Sequence, residues 1–352
     1  MEIYRKALEW LDEGRTVALG TVVYAQGSTP QKAGSKAIID DRGNQAGTLG
    51  GGLVEADGLT QMSQALSDNT ARLYEFRLDE AYSREAGPIC GGVMRLFANP
   101  RTRANAESYR KAVEAVEKRE RGLLVTTLSG DPQPTGQATW FTVENGAAEA
   151  LGCREEDIEH CLREEVPLLV ETQSGGEAFI EPVVPRPRLL IVGGGHVGQA
   201  VARQGVELGF EVTVYDDRPE LARPELFPEG VHAAHGDLRE LVSAFPKEAD
   251  TYIVLVSKGH KPDAEALEGC IHSNPAYIGM IGSERKIRYL RKNFIGEGIA
   301  TEEEFNRVVA PIGYDVGAVT VPEIAVCIAA QLVAARRRPP AVRDVESKSL
   351  LK

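Results

Sequence analysis

The pattern of apolar positions divides the chain into two halves of different character. In the second half, short apolar runs alternate with longer segments whose apolar residues recur at helical spacing. These patterns predict strands at 189–192, 211–215, 231–234, 251–256 and 276–281, and helices at 196–208, 262–272, 284–294 and 321–336. Regular alternation of strand and helix is typical of an α/β domain with a doubly wound parallel sheet.

The first half lacks this alternation and is predicted to form a separate, mixed α+β domain. Strand-like segments cover Thr16–Tyr24 and Lys36–Asp40, and a glycine-rich stretch then opens a helical segment that reaches about Leu66. Three prolines between Glu181 and Arg188 forbid a helix there and favour an extended connector. Since 352 residues exceed the usual size of one core, we expect two domains, at 1–183 and 188–340.

A glycine motif follows the first predicted strand of the second domain. Gly193, Gly195 and Gly198 have the spacing of a Rossmann turn, in which glycines permit the sharp turn, the approach of a pyrophosphate and close helix packing. Asp216 ends the next strand at about the position of a ribose-binding carboxylate. Arg218 leaves the choice between NAD and NADP open. A turn kept for packing, with no nucleotide bound, is the alternative interpretation.

Polar residues also follow the fourth predicted strand. Ligands of doubly wound sheets bind beyond the carboxyl ends of the strands, where the strand order reverses. We therefore expect His196, Lys258 and His260 to converge on one crevice, although a lone histidine is more often a satisfied surface or core residue. The sequence contains no catalytic triad order, no His-Glu-x-x-His motif and no nucleophile elbow.

The first domain carries a second concentration of glycine. Gly50, Gly51 and Gly52 lie between an apolar segment and a helix, where free backbone amides would form an anion-binding nest. Glu55 in the first helical turn either complements the helix dipole or contacts a ligand. Cys90 begins a Cys-Gly-Gly segment, and its thiol is either an inert buried group or a ligand for a soft metal or sulfur.

Charge and composition exclude several classes of function. The chain has 52 acidic against 40 basic residues, and this net charge of −12 argues against nucleic acid as a partner. No apolar run approaches the length of a membrane span, and Met1–Trp10 is charged rather than a targeting segment. The five cysteines show no metal-binding spacing, so we expect free thiols in a reducing compartment and a cytoplasmic protein.

Taken in order, the motifs of both halves resemble those of the XdhC/CoxI family. The resemblance rests on Gly27-Ser-Thr-Pro30, Gly47-Thr-x-Gly-Gly-Gly52-x-x-Glu55, Cys90-Gly-Gly92, Gly193-x-Gly-His-Val-Gly198, Gly259-His260, Tyr277-Ile-Gly-Met-Ile-Gly-Ser283, Pro311-Ile-Gly313 and Pro322-Glu-Ile-Ala325. One position departs from the pattern: Leu53 stands where relatives often have Cys or His. This departure favours Cys90 as the ligand of the first domain.

The resemblance implies an accessory protein for molybdenum hydroxylases such as xanthine, aldehyde or carbon monoxide dehydrogenase. Such a protein binds the molybdenum–pyranopterin cofactor, protects it or promotes its sulfuration, and hands it to the apo-enzyme. The implied partners are an apo molybdenum hydroxylase and a cysteine desulfurase. The chain is then a cofactor-binding chaperone rather than a stand-alone enzyme, and the need for a closed cleft leads us to expect a homodimer.

These implications give a hypothesis for both sites. The residues expected to face the cofactor are Gly50, Gly51, Gly52, Glu55 and Cys90, with Cys90 as the metal or sulfur ligand, and those expected to face a nucleotide are Gly193, Gly195, His196, Gly198, Asp216, Lys258 and His260. The nucleotide is either the cytidine moiety of the cofactor or a separate NAD(P). Two alternatives stay open: an NAD(P)-dependent oxidoreductase with proton transfer by His196, Lys258 or His260, and an interaction chaperone whose Rossmann crevice is empty.

Overall fold

The fold is described from a computed structural model that covers residues 1–78, 91–129, 135–143, 154–172 and 175–337. The chain separates into two compact units, Met1–Pro185 and Arg186–Lys352. We refer to them as unit 1 and unit 2.

Unit 1 contains two antiparallel sheets and four helices among its described residues. The helices are α1 (Glu2–Asp12), α2 (Gly52–Asp68), α3 (Ala106–Glu117) and α4 (Glu155–Glu164). The strands are β1 (Val17–Gly27), β2 (Lys36–Asp40), β3 (Gln45–Gly47), β4 (Arg72–Arg77), β5 (Gly92–Asn99), β6 (Gly122–Ser129), β7 (Ala138–Thr142), β8 (Leu168–Glu171) and β9 (Glu177–Val183). Their orders are β3-β2-β1-β5-β4 and β7-β6-β9-β8.

The first sheet of unit 1 positions the glycine-rich segments. Its central strand, β1, is buried over its first seven residues and pairs with β2 on one side and β5 on the other. Helix α2 packs on this sheet through Val54, Met62 and Ala65, which join one buried cluster with Val22 and Leu96. Burying a valine, leucine or methionine side chain stabilises the fold by roughly 1.5–3 kcal/mol. The start of α2 is therefore held at a fixed place beside β1.

The proline-rich stretch begins inside a strand. Residues Glu181, Pro182 and Val183 continue β9 and pair with β6, while the pairing of β9 with β8 ends at Ile180. Pro182 thus lies where β9 has a neighbour on one side, the place in a sheet that tolerates a missing amide donor.

Unit 2 is a six-stranded parallel sheet with helices on both faces. Its strands are β10 (Arg188–Val192), β11 (Glu211–Asp216), β12 (His232–His235), β13 (Thr251–Leu255), β14 (Tyr277–Met280) and β15 (Val308–Val309), and its helices are α5 (His196–Glu207), α6 (Leu238–Ala244), α7 (Lys261–Glu268), α8 (Glu284–Gly296), α9 (Glu302–Asn306) and α10 (Val321–Arg337). The order β12-β11-β10-β13-β14-β15 confirms the predicted Rossmann-like, doubly wound sheet.

Alternate residues of β10 supply the two cores of this unit. Leu189 and Ile191 lie in a cluster with residues of α5 and α10, whereas Leu190 and Val192 lie in a second cluster with residues of α6, α7 and α8. Because successive side chains of a strand point to opposite faces, a fully apolar strand requires cover on both sides. The continuous apolar run at 189–192 is explained by this double burial.

One crossover of unit 2 differs from the others. The segment between β11 and β12 contains two short 3-10 turns, Pro219–Leu221 and Pro224–Leu226, in place of an α-helix. The other differences from prediction are small: α7 ends at Glu268 rather than 272, and the sequence pattern missed α6, α9 and the two-residue strand β15.

The described cysteines Cys161, Cys270 and Cys327 are buried thiols. Burial raises the pKa of Cys270 to about 12, so this thiol stays protonated and unreactive at neutral pH. Cys90 and Cys153 lie outside the described residues. Within the described ranges, every helix is too short or too polar to cross a membrane.

Candidate functional site

Two of the glycine-rich segments of unit 1 meet where strand β1 ends and strand β5 begins. Gly27 pairs with Gly92 at the last position of the ladder. A Cβ on Gly27 would lie 2.7 Å from the carbonyl oxygen of Gly91, and one on Gly92 would lie 2.5 Å from the carbonyl oxygen of Ser28. These distances are too short for any side chain, so glycine is required where the two backbones touch.

The third segment joins them through a proline. A Cβ on Gly50 would lie 2.7 Å from Cβ of Pro30, whereas Gly51 and Gly52 have open space on that side. All three adopt positive φ angles. We call residues 27–30, 50–52 and 91–92 the glycine cluster. Residues 50–52 form its central turn. In this turn Gly50 is needed for packing, while Gly51 and Gly52 leave the backbone exposed at the start of α2.

The carboxylate of Glu55 holds this turn in place through hydrogen bonds. Its Oε2 accepts hydrogen bonds from the Thr48 hydroxyl at 2.6 Å and from the amides of Gly51 at 2.7 Å and Leu49 at 3.2 Å, while Oε1 accepts from Gln45 at 2.8 Å. Burial acts to raise the pKa of Glu55, but the hydrogen bonds outweigh it and the pKa is lowered. Glu55 is therefore a charged group that fixes the shape of the turn.

These hydrogen bonds contradict one expectation from the sequence. The prediction of successive free amides is wrong for Gly51, which donates to Glu55, and for Gly50, which donates to the Thr48 hydroxyl at 3.1 Å. The reason is that Glu55 lies one helical turn after Gly51, so its side chain reaches back over the turn. The first-turn amides of α2, which have no acceptor inside the helix, are the donors that an anion could meet here.

The predicted ligand Cys90 lies outside the described residues. The residue that follows it in the chain, Gly91, belongs to the glycine cluster through its contact with Gly27. Across the ranges that the structure describes, no three His, Cys, Asp or Glu side chains come together as a metal site. The role of Cys90 as a metal or sulfur ligand stays a prediction.

The Rossmann turn of unit 2 uses its glycines for different purposes. A Cβ on Gly193 would lie 2.7 Å from the carbonyl carbon of Val256, and one on Gly198 would overlap the carbonyl oxygen of Gly193. These two glycines are thus required by backbone packing. Gly195, the residue before α5, has open space where a side chain would be. An anion could approach the turn on the side of Gly195, where α5 begins.

Asp216 lies beside this turn, as predicted from its position at the end of β11. Its side chain is 1% exposed and accepts a hydrogen bond from the amide of Gly194 at 2.7 Å. Arg218 donates to it from the backbone amide and from the guanidinium. Burial alone would raise the pKa of Asp216, but the bonds from Arg218 and Gly194 lower it. The carboxylate is therefore ionised and fully engaged within the protein.

The other predicted residues of unit 2 lie at the same edge of the sheet. Strand β10 pairs in parallel with β13, so His196 after the first strand and His260 after the second leave the sheet at neighbouring positions. Lys258, His260 and His196 are all exposed. The ring of His260 meets that of Tyr289 edge-on, with 5.8 Å between ring centroids. Convergence of these side chains on a common ligand stays a prediction.

A buried ion pair near His260 was not predicted from the sequence. Asp263, in the first turn of α7, has a fully buried side chain that accepts from the amide and hydroxyl of Ser257 and from the ammonium of Lys286. Burial raises the pKa of Asp263, with Lys286 and Ser257 acting in the opposite direction. Lys286 also donates to the carbonyl of Ile281 at 3.1 Å. The network ties together the segments that follow β13 and β14.

Comparison with known proteins assigns both halves of the chain to one family. Residues 10–77 match the model described as the XdhC and CoxI family, and residues 189–332 match the XdhC Rossmann domain. The two matched ranges together cover more than half of the chain and contain the central turn of the glycine cluster and the whole Rossmann turn.

Three curated relatives match over almost the whole chain. They are the uncharacterized protein YqeB of Escherichia coli, 24% identical over 97% of this chain, a probable subunit of xanthine dehydrogenase from Bacillus subtilis, 25% over 93%, and the molybdenum cofactor insertion chaperone PaoD of E. coli, 22% over 95%. The alignments cover 96% of the B. subtilis protein and 88% of PaoD, but the chain spans only 47% of the length of YqeB.

A solved structure supports the fold over the same length. The crystal structure of a protein named xanthine dehydrogenase from Bacillus halodurans superposes with a TM-score of 0.71 at 18% identity, covering 97% of this chain and 98% of that one. At this identity the likeness concerns the fold alone. With both family models matched and the motifs of both units in their expected order, the chain belongs to the XdhC/CoxI family.

Proposed function

We propose that this protein is an accessory factor in the maturation of a molybdenum hydroxylase of the xanthine or aldehyde dehydrogenase type. In this role it binds the molybdenum–pyranopterin cofactor, holds it during sulfuration and passes it to the apo-enzyme. The observation that carries the proposal is the glycine cluster, where segments from residues 27–30, 50–52 and 91–92 come together around an open backbone turn. The names of the B. subtilis relative and of PaoD support the same role.

The glycine cluster suits an anionic, sulfur-rich ligand. Gly51 and Gly52 allow a ligand to approach the backbone, and the first turn of α2 offers amides and the positive end of a helix dipole to a phosphate. Glu55 would hold the turn in shape rather than touch the phosphate, since its carboxylate is already bonded to Gly51 and Thr48. The thiolate of Cys90 would supply a ligand suited to soft metal or sulfur.

The turn of unit 2 would contact an anionic ligand of its own or an anionic group of a partner. Gly195, His196, Lys258 and His260 supply open backbone and exposed basic side chains at one sheet edge. The partners in this proposal are the apo molybdenum hydroxylase, which receives the cofactor, and a cysteine desulfurase, which supplies the sulfur. We propose that the protein acts in the cytoplasm as a homodimer, in which two copies shield the cofactor.

The proposal is tested by comparing two glycine variants after anaerobic co-expression with a molybdenum hydroxylase. Gly51 and Gly43 both have positive φ and open space around a new Cβ, so alanine imposes a similar strain of about 1–2 kcal/mol at each. We expect Gly51→Ala to lower the molybdenum and pterin content per chain at least about fivefold, a loss of about 1 kcal/mol in binding. Gly43→Ala, in the β2–β3 turn, should retain the wild-type content.

Equal cofactor content in both glycine variants would contradict the assignment of the site. If the wild-type protein itself carries no pterin after this co-expression, the proposed function fails. Cys90→Ala is expected to lower molybdenum retention more than pterin retention, because a thiolate binds the soft metal or its sulfur. An unchanged molybdenum-to-protein ratio in that variant would remove Cys90 from the site.

A further inference from the structure

Asp216 is so fully bonded, chiefly by Arg218, that its carboxylate has no acceptor left for a ligand. Oδ1 of Asp216 accepts from the amide and Nε of Arg218, both at 2.9 Å, and Oδ2 accepts from Nη2 of Arg218 at 3.0 Å and from the Gly194 amide at 2.7 Å. A carboxylate offers about four lone-pair sites. All four are occupied, and the side chain is almost completely buried.

The backbone of the same segment covers the turn itself. A Cβ built on Gly194 would overlap the carbonyl oxygen of Leu221, which lies in the first of the two 3-10 turns between β11 and β12. Gly194 therefore faces protein on this side. Residues 218–221 run from the ion pair to this contact.

The two usual ways of binding the adenosine ribose of a dinucleotide both need these groups. A 2′,3′-diol donates to a carboxylate at the end of the second strand, and a 2′-phosphate needs an arginine near the same place. Here Asp216 has no free acceptor, and the guanidinium of Arg218 is bonded to Asp216 and lies 3.6 Å from Asp217. A diol thus finds no acceptor on Asp216, and a 2′-phosphate would meet a guanidinium whose charge is balanced by Asp216 and that lies beside the carboxylate of Asp217.

We infer that unit 2 rejects dinucleotides of the NAD(P) type, with Asp216, Arg218 and the Leu221 carbonyl closing the adenosine side of its Rossmann turn. The open side, at Gly195, leaves room for an anion that carries no ribose reaching β11. The exclusion of dinucleotides stands on the geometry of Asp216, Arg218 and Leu221 alone.

The test is calorimetric titration of the full chain with NAD⁺ and with NADP⁺. We expect no saturable binding to the wild-type protein up to about 1 mM ligand. Arg218→Ala removes the two guanidinium bonds to Asp216 and keeps the backbone bond. With one acceptor position freed on each oxygen, this variant should bind NAD⁺ at least about tenfold more tightly than wild type. NADP⁺ should gain nothing, because its 2′-phosphate would face the bare carboxylate.

Two further variants control for folding and for loss of charge. Arg223→Ala removes an arginine of the same segment whose Nε donates to the carbonyl of Glu220, away from Asp216, and it should behave as wild type. Arg218→Lys keeps the charge but lacks the planar guanidinium that donates two parallel hydrogen bonds to Asp216. Its affinity for NAD⁺ should rise less than that of Arg218→Ala. It also supplies the comparison if the alanine variant is unstable.

Saturable binding of NAD⁺ or NADP⁺ to the wild-type protein below about 1 mM would overturn the inference. If Arg218→Ala and Arg218→Lys bind NAD⁺ no better than Arg223→Ala, the assignment of the exclusion to Arg218 is overturned. These results are independent of the cofactor content tested above, since a chain without pterin could still reject NAD⁺, and a chain that carries pterin could still bind it.

Discussion

The two glycine-rich turns of the molecule share a local design. Each lies before a helix, α2 in unit 1 and α5 in unit 2. In each, a carboxylate accepts a hydrogen bond of 2.7 Å from a glycine amide, with Glu55 on Gly51 in the first turn and Asp216 on Gly194 in the second. On the sequence alone, both turns are predicted to bind anions.

The two turns differ in whether other atoms of the protein already occupy the space around their glycines. Around Glu55 the partners are neutral, and Gly51 and Gly52 remain open. Around Asp216 the main partner is the charged Arg218. Backbone atoms lie too close to Gly193, Gly194 and Gly198 for these positions to carry a side chain. A glycine motif therefore indicates where backbones approach closely. Whether the approaching group is a ligand or the protein itself depends on residues outside the motif.

The largest effect expected from this contrast is on stability in unit 2. Gly198→Ala places a methyl group onto the carbonyl of Gly193, which cannot move without shifting β10 or α5. We expect a loss of about 3 kcal/mol in the free energy of unfolding. Gly195→Ala, in the same turn but with open space, should change stability by less than about 0.5 kcal/mol. Urea denaturation of both variants measures the difference, and equal losses would refute the division into packed and open glycines.

The next effect concerns the buried carboxylate. Asp216→Asn removes the charge that faces Arg218 and turns one acceptor into a donor directed at existing donors. We expect a loss of about 2 kcal/mol in the free energy of unfolding, below that of a fully buried pair because Arg218 is partly exposed to solvent. Asp217→Asn is the control, with an expected change within about 0.5 kcal/mol. A similar loss in both variants would show that the pairing with Arg218 contributes little.

The same pair predicts a dependence on pH. Because the pKa of Asp216 is lowered in the folded protein, its charged form stabilises the fold above the ordinary value of about 4, and this contribution disappears as the pH falls through the lowered pKa. The difference in unfolding free energy between wild type and Asp216→Asn should therefore be constant near neutral pH and shrink below about pH 4. A difference that persists unchanged in stronger acid would contradict an ionised Asp216.

The smallest effect is expected in unit 1. Glu55→Gln keeps the size of the side chain but weakens the bonds from Thr48, Leu49 and Gly51. Since the group is partly exposed and its partners are neutral, we expect a loss of about 1 kcal/mol in the free energy of unfolding. Denaturation beside Asp216→Asn gives the comparison. A loss in Glu55→Gln as large as in Asp216→Asn would remove the energetic contrast between the turns.

The strand and helix order of unit 2 could be predicted from the sequence because both cores are encoded in local patterns. The apolar run at 189–192 and the glycine motif after it indicate the first strand and helix, and the later strands and helices continue the same alternation. The elements that the pattern missed, α6, α9 and β15, span seven, five and two residues. Such short segments carry too few periodic positions to indicate a structure, and α6 depends on a cap from Asp237.

The candidate site was predictable only in part, since hydrogen bonds between distant residues have no local signature. The meeting of Gly27 with Gly91 depends on the pairing of β1 with β5, and the contact of Asp263 with Lys286 joins two separate helices. Glu55 is different, because a glutamate four residues after Gly51 lies about one helical turn away. That spacing alone indicates that the amide of Gly51 donates to Glu55 rather than being free, so this hydrogen bond is predictable from the sequence.

The crossover between β11 and β12 has a consequence for how the space beside Gly194 could change. The carbonyl of Leu221 reaches Gly194 because a short, helix-free segment leads directly from Asp216 to that point. A few inserted residues would move this carbonyl away while leaving all six strands in place. Surface segments accept such insertions readily, so the space beside Gly194 depends on the length of one loop rather than on the architecture of the sheet.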